Sequence, residues 1–343
     1  MKKTALLFSL FSFSILFSQA RTEDFQISLP EKKVVKSLYK TIKVVDARVD
    51  TTNLGIVQKG AFNTKARVVP TVPINTQLQN VLNSLNASGS GDGEMLIYLK
   101  QLSFAEVTGA MSEKGYCYFQ AFLFSKNGDG NYQPLNKIDS VIVHSSMDVT
   151  KATMRKGSEM IADFISKNIG RQNTAPEAYT YSEVLNYDLI EKNKYPLYSA
   201  PQLTDGLYGD FRKFRSQTPL EIPVSTVKAA ADPSKLFKIY SNVSGKEKEL
   251  KKSDYYALVY QGAPYLYSEL DYAFVKATKR ADGDYYLTAK AQTTAKTSDV
   301  MLASAFFGII GGLIASASDA NAVFEMKLDY INGGLVPVKE IKK

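Results

Sequence analysis

The chain has 343 residues, 45% hydrophobic and 22% charged, with 42 Lys+Arg against 34 Asp+Glu, a formal charge of +8, one Cys, one His and no Trp. The length suits about two globular domains, and so thin a basic excess argues against nucleic acid as a partner. A single Cys excludes an intramolecular disulfide framework and thiolate zinc sites, a single His excludes multi-histidine centres, and no cofactor or metal is expected.

Residues Met1 to Ala20 read as a secretory signal peptide. Lys2 and Lys3 supply the positive start, Ala5 to Phe17 the apolar run, and Ser18-Gln-Ala20 the small-residue cleavage site, so the mature chain is expected to begin at Arg21. The run is short for an uncleaved span. Export to the periplasm or outer envelope follows, without an N-terminal lipid anchor, because the lone Cys117 lies in the strand-like text Tyr116 to Phe124.

From Thr41 the text alternates, with Val45, Ala47 and Val49 on one side and Asp46, Arg48 and Asp50 on the other, as a half-buried strand would. Ile74, Leu78, Val81, Leu82 and Leu85 fall at helical spacing, and Asn86 to Gly93 stops them. Strands are expected over Glu94 to Val107, Gly115 to Lys126 and Tyr132 to Ser146, then a helix to about Ile169 capped by Asp148 or Thr150. The order β-α-β-β-β-α predicts an α+β domain over residues 21–172, with helices on one face of a mainly antiparallel sheet.

The polar run Gly170 to Pro176 marks a boundary, and residues 173–343 form the second domain. Tyr181 to Lys192 reads as a bridging helix, and Asp205 to Ser216 as a short one turning Leu207, Phe211 and Phe214 inward. Hairpins follow in a β-rich meander: Tyr255–Tyr260 with Tyr265–Leu270, Tyr272–Thr278 with Tyr285–Thr293, and Ala322–Tyr330 with Leu335–Ile341.

The first domain, with its Val44-Val-Asp-Ala-Arg48 strand, Leu-rich helix, long strands and closing amphipathic helix, resembles over residues 38–170 the α+β domains of cell-envelope auxiliary lipoproteins. These accompany lipopolysaccharide assembly or ABC-type lipid transport, and the missing lipobox Cys departs from them. Gly206-x-Tyr208-x-x-Phe211-x-x-Phe214-x-x-x-x-Pro219 resembles a module of secreted Gram-negative envelope proteins. The resemblance implies a role in the envelope and names no activity.

Val300 to Ser318 holds no charge in 19 residues and is closed by Asp299 and Asp319. In a helix Ser304, Gly308, Gly312 and Ser316 form one small-residue stripe, a glycine zipper along which a second backbone can approach. Three readings stand open: a helix inserted between strands and covered by protein, a helix in or on a membrane, and a loop. The first two make the stripe a contact for packing, for membrane association or for self-association.

Asp46, Arg48 and Asp50 are a candidate ion cluster, catalytic if the carboxylates act together and a solvated face otherwise. Asn127 to Asn131 lacks the Gly and Glu of a calcium loop and reads as a hairpin turn. His144 has no Cys or nucleophile elbow beside it, and no phosphate-binding loop is present. The expectation is a non-enzymatic exported envelope protein acting as a binding or accessory component on a protein or lipid partner. One alternative is membrane association through residues 300–318; another is a hydrolase using Asp46 and Asp50. Replacing Gly308 and Gly312 by Leu is expected to abolish assembly or membrane association; if both are unchanged, the stripe has no part in function.

Overall fold

Long runs of alternating β-branched and aromatic residues pair readily across strands, and most of the chain is built this way. The computed structural model describes residues 21–341 apart from 32–36, 60–63, 88–89, 109–112, 147–148, 174, 230, 244 and 291–322. The signal peptide, and the stripe Ser304, Gly308, Gly312 and Ser316, lie outside the described residues. The chain is α+β with mostly antiparallel sheets.

The first half comprises β1 (Thr22–Phe25), β2 (Tyr39–Asp46), β3 (Gly55–Lys59), β4 (Thr64–Pro70), α1 (Ile74–Leu85), β5 (Gly93–Thr108), β6 (Glu113–Lys126), β7 (Tyr132–Ser146) and α2 (Thr150–Ser166). The sheet order is β1-β4-β3-β5-β6-β7, with β2 parallel to the first part of β5. The expected β-α-β-β-β-α frame is therefore extended by the short strands β1, β3 and β4. Their text is broken by Gly and Pro and too short to declare a period. Val149 holds the N-cap position of α2 without a side-chain cap, and Thr150, expected there, instead donates to the Gln58 carbonyl (3.2 Å); Asp148 lies outside the described residues.

One sheet face buries Ile97, Leu99, Phe104, Cys117, Phe119 and Leu123 against Leu78, Val81 and Leu82 of α1 and Ile161, Phe164 and Ile165 of α2. Each such side chain contributes about 1.5–3 kcal/mol. Helix and sheet approach closely because Gly157 of α2 sits over the strands; a Cβ there would stand 2.5 Å from Cys117 Sγ and 2.9 Å from Phe104 Cε1.

The second half holds α3 (Tyr181–Leu185), α4 (Tyr187–Asn193), α5 (Pro196–Ser199), β8 (Gly206–Tyr208), α6 (Phe211–Arg215), β9 (Thr226–Ala229), β10 (Lys235–Val243), β11 (Lys246–Glu249) and β12 (Ala257–Tyr260). It continues with β13 (Ala263–Ser268), β14 (Ala273–Lys276), β15 (Thr278–Lys279), β16 (Tyr285–Lys290), β17 (Val323–Leu328) and β18 (Leu335–Glu340). One sheet runs β11-β10-β14-β13-β12-β8 with β9 against β10, another β15-β16-β17-β18. A core of Tyr208, Phe214, Val259, Leu266, Leu287 and Phe324 joins them.

Three expectations change here. The bridging helix divides at Asn186, with α3 started by a Thr180–Glu183 capping box. Leu207 lies in β8, not on a helix, and packs in a different cluster from Phe211 and Phe214. The Tyr272-to-Thr278 text pairs with β13 and β10, and only Thr278–Lys279 meets β16. Alternation marks a strand but not its partner. The turn Gln261-Gly262 has φ of 53° and 73°, the two-residue form suited to a tight hairpin. Among the described residues no helix is long and apolar enough to cross a membrane.

Gly157→Ala is expected to cost about 1–3 kcal/mol through overpacking, read by urea unfolding. An unchanged midpoint would mean that α2 does not rest on Cys117 and Phe104 as described.

Candidate functional site

The sequence-derived cluster does not form a shared carboxylate site. β2 ends at Asp46, so Arg48 and Asp50 lie beyond the strand. The Arg48 guanidinium folds back, donating from Nε and Nη2 to Asp46 Oδ1 and Oδ2 (2.8 and 2.7 Å) and from Nη1 to the Asn53 carbonyl (3.0 Å). Asp50 instead accepts from the Thr52 N–H and hydroxyl (2.8 and 2.6 Å) and from Asn53 Nδ2 (2.8 Å). Burial pushes Asp50 up, but these bonds and the Arg48 charge together hold it below its ordinary value. Each carboxylate closes a local turn; the alternation read through Asp50 runs four residues past the strand end at Asp46.

The other candidates are equally local. Cys117 is fully buried, and burial pushes its thiol far up, away from the reactive thiolate. Lys156 Nζ lies 3.2 Å from His144 Nδ1. Asn127 Oδ1 accepts from the N–H groups of Asp129 and Asn131 (3.1 and 2.9 Å), closing the β6–β7 turn.

Charged side chains converge elsewhere, on the sheet face away from α1 and α2. There Leu96, Tyr98, Phe122 and Phe124 pack against Val184 and Tyr187 of α3 and α4. Lys100 continues the alternation of Leu96 and Tyr98 onto this face, and a register shift between Leu99 and Gln101 then turns Leu102 and Phe104 back toward the helices. Lys100 donates to Asp188 of α4 (2.9 Å) and lies 3.9 Å from the centre of the Tyr330 ring, whose hydroxyl donates to the same Asp188 oxygen (2.9 Å). One turn along α4, Lys192 donates to Asp284 Oδ1 and to the Asp282 carbonyl (2.7 and 2.8 Å), while Lys327 pairs with Asp284 Oδ2 (2.6 Å). Burial pulls Lys327 down, and the Asp284 carboxylate more than offsets it, leaving a net rise.

The β17–β18 turn completes the seam. Gln120 Nε2 donates to Asp329 Oδ2 (2.7 Å), and Asn332 Nδ2 to Tyr118 Oη (2.8 Å) and Asp139 Oδ2 (3.0 Å). Burial raises the Asp329 carboxyl above its ordinary value of 3.8, against the lowering pull of Lys100, the Ile331 N–H and Gln120. Burial, with the charges of Asp329 and Asp139, drives Tyr118 far up, so it stays a protonated donor. A shallow cleft beside Gln101, Tyr118, Asp329, Asn332, Val336 and Pro337 has a volume of about 10 Å³, room for about one water and far below the ~300–1,000 Å³ of ordinary ligand pockets.

The turn is seated by the Gly-x-Tyr-x-x-Phe-x-x-Phe run. Gly206 has φ 141° and lies against Pro219, the ring of Phe211 lies against Gly333, and Arg215 donates to the carbonyls of Tyr330 and Ile331 (3.3 and 3.2 Å). Sequence reading missed Lys100, Asp188, Lys192, Asp284 and Asp329. The one local signal was at Lys100, where inward residues step from 95, 97 and 99 to 102 and 104.

No family model and no curated protein matches the chain. Among solved structures it is similar to a Xanthomonas campestris protein described with the family model DUF330. The identity is 10% and the TM-score 0.27, covering 43% of this chain and 93% of that one. A second match, to a protein described as uncharacterized, has 14% identity and TM-score 0.23, covering 45% of this chain and 98% of that one.

Two outcomes are expected. Lys192→Met leaves Asp284 paired with Lys327 alone and should cost about 1.5–3 kcal/mol, the range for losing a hydrogen bond to a charged group; a loss under about 0.5 kcal/mol by urea unfolding would contradict it. Asp329, held above 3.8, gives stability that is complete below that value and lost as pH rises through the raised one. Asp329→Asn should therefore gain stability relative to wild type as pH rises above 3.8, and a pH-independent difference would contradict the assignment.

Proposed function

We propose that the protein is an exported accessory component of the cell envelope that works by binding rather than turnover. The observation that carries this reading is the mutual commitment of the buried charges. Lys100 is spent on Asp188, Lys192 and Lys327 on Asp284, and the Asp329 carboxylate on Gln120 and the Ile331 N–H. A general acid or base must face a space that a substrate can enter; these groups face one another across a packed seam, and the cleft beside Asp329 has room for about one water. Such an arrangement fits a body whose two halves are held in one orientation to present an outer surface. The export part rests on the leader text from Met1 to Ala20.

The test is to express the full chain in Gram-negative cells, fractionate them and sequence the amino terminus. An envelope or periplasmic product beginning at Arg21 is expected; a cytosolic product retaining Met1 would overturn the export part. Hydrolytic turnover that disappears in Asp46→Asn or Asp329→Asn would overturn the binding part.

A further inference from the structure

A strand that ends a sheet leaves one row of N–H and C=O groups for a further strand to pair with, and folded chains blunt such rows with short, charged, Pro-containing or covered strands. Most end strands here follow that rule. β1, β8, β9 and β15 are two to four residues long, β11 is the charged run Lys246-Glu-Lys-Glu249, and β18 carries Pro337 and Lys339. The outer side of β2 is taken by Gln79 of α1, which accepts from the Ile42 N–H and donates to the Lys40 carbonyl (both 3.0 Å).

β7 is the exception. It is 15 residues long, its ladder partner is β6, and its protection is gathered at its start. There the Pro134 carbonyl accepts from Asn173 Nδ2 (3.0 Å), Gln133 Nε2 donates to the Ala175 carbonyl (2.9 Å) and Tyr132 bridges to Tyr179. From Ile138 to Val143 the text Ile-Asp-Ser-Val-Ile-Val holds no Pro and no Lys, no register shift interrupts the ladder, and no described strand lies alongside.

Which groups face outward follows from the ladder, because residues of an antiparallel strand alternate between pairing with one neighbour and facing the other side. Tyr132 faces outward, since its N–H and carbonyl both bond to Tyr179 (2.7 and 2.8 Å). The register shift opposite Leu123 and Phe124 inserts Leu135 and reverses the phase, so from Lys137 the odd-numbered residues face outward. The Lys137 N–H accordingly donates to Asn136 Oδ1 (2.8 Å). The outward row is thus the N–H and C=O of Asp139, Val141, Val143 and Ser145, and Val143 is 45% exposed.

We propose that this edge pairs with the same edge of a second copy of the chain, antiparallel about a two-fold axis at Ile142, so that the sheet continues from β7 into β7 of the second copy. The residue pattern is complementary to itself in that register. Val141 stands opposite Val143 of the second copy on both sides of the axis, Ile142 opposite Ile142, and Asp139 opposite Ser145. An axis at Ser140 or Val141 would set Asp139 against a valine, and one at Asp139 would set two carboxylates face to face, a destabilising pair. The axis at Ile142 also keeps the pairing clear of the seam, where Asp139 accepts from Tyr118 Oη and Asn332 Nδ2 (2.8 and 3.0 Å). The contact belongs to the purified chain and does not depend on where that chain resides in the cell.

The experiment is sedimentation equilibrium of the purified chain from Arg21 over about 1 to 100 µM, the range in which a micromolar dimer titrates. A reversible monomer–dimer equilibrium is expected. Val143→Pro removes an outward N–H and no bond to β6, so at low concentration the monomer should keep its unfolding midpoint while the dimer dissociation constant rises at least about tenfold. Val143→Lys reads the same contact with the backbone untouched and should raise the constant alike, whereas Val143→Ile should leave the dimer intact. A protein that stays monomeric throughout, its edge left to a strand of a different protein, would overturn the proposal. So would a dimer that both Val143→Pro and Val143→Lys leave unchanged, the result if two copies meet through another surface.

Discussion

The ammonium of Lys100 stands on a buried sheet face lined mainly by Leu96, Tyr98, Phe122 and Phe124, and the rest of the molecule is arranged to compensate it. An uncompensated charge in such a place is untenable. The compensation comes from far along the chain: a carboxylate at Asp188 and the face and hydroxyl of Tyr330. The outer face of the first sheet therefore cannot be finished without the second half, and Leu96, Tyr98, Phe122 and Phe124 are covered by the same docking event.

α4 is the element through which this dependence runs. Asp188 and Lys192 stand four residues apart, a spacing at which they would pair with each other on an isolated helix. Here each is diverted to a tertiary partner, Asp188 to Lys100 and Tyr330, Lys192 to Asp284 and the Asp282 carbonyl. Tyr187, between them and the sheet, meets the rings of Phe122 and Phe124 edge-on. One short helix thus ties the first sheet to the end of the β15–β18 sheet where β16 begins and β17 finishes. The Phe211-to-Arg215 helix supports the arrangement by holding the Asp329-to-Gly334 turn against the seam.

What was legible in the sequence follows from how local each signal is. The helix from Ile74 to Leu85 and the strands β5 and β6 carried their own apolar patterning and ended where Asn or Gly follows, whereas β7 runs through Pro134. The short strands β1, β3 and β4, and the pairing of β14 with β10, depend on neighbours distant in sequence, which periodicity does not report. Asp46, Arg48 and Asp50 looked like a cluster because alternation was followed past the strand end, where the chain instead turns and spends each carboxylate locally. The seam was hidden because its members are single charges scattered over residues 100 to 329, each unremarkable in its own window. The spacing of Gly206, Tyr208, Phe211 and Phe214 is explained by packing: the run seats the Asp329-to-Gly334 turn.

The dependence of the two halves on this seam is tested most directly by a double-mutant cycle on Lys100→Met and Asp188→Asn, read by urea unfolding. Each single variant should lose about 3–5 kcal/mol. The double variant should lose less than their sum by roughly 1–3 kcal/mol, with both halves unfolding in one transition. Additive losses, or separate transitions in the wild type, would contradict the account.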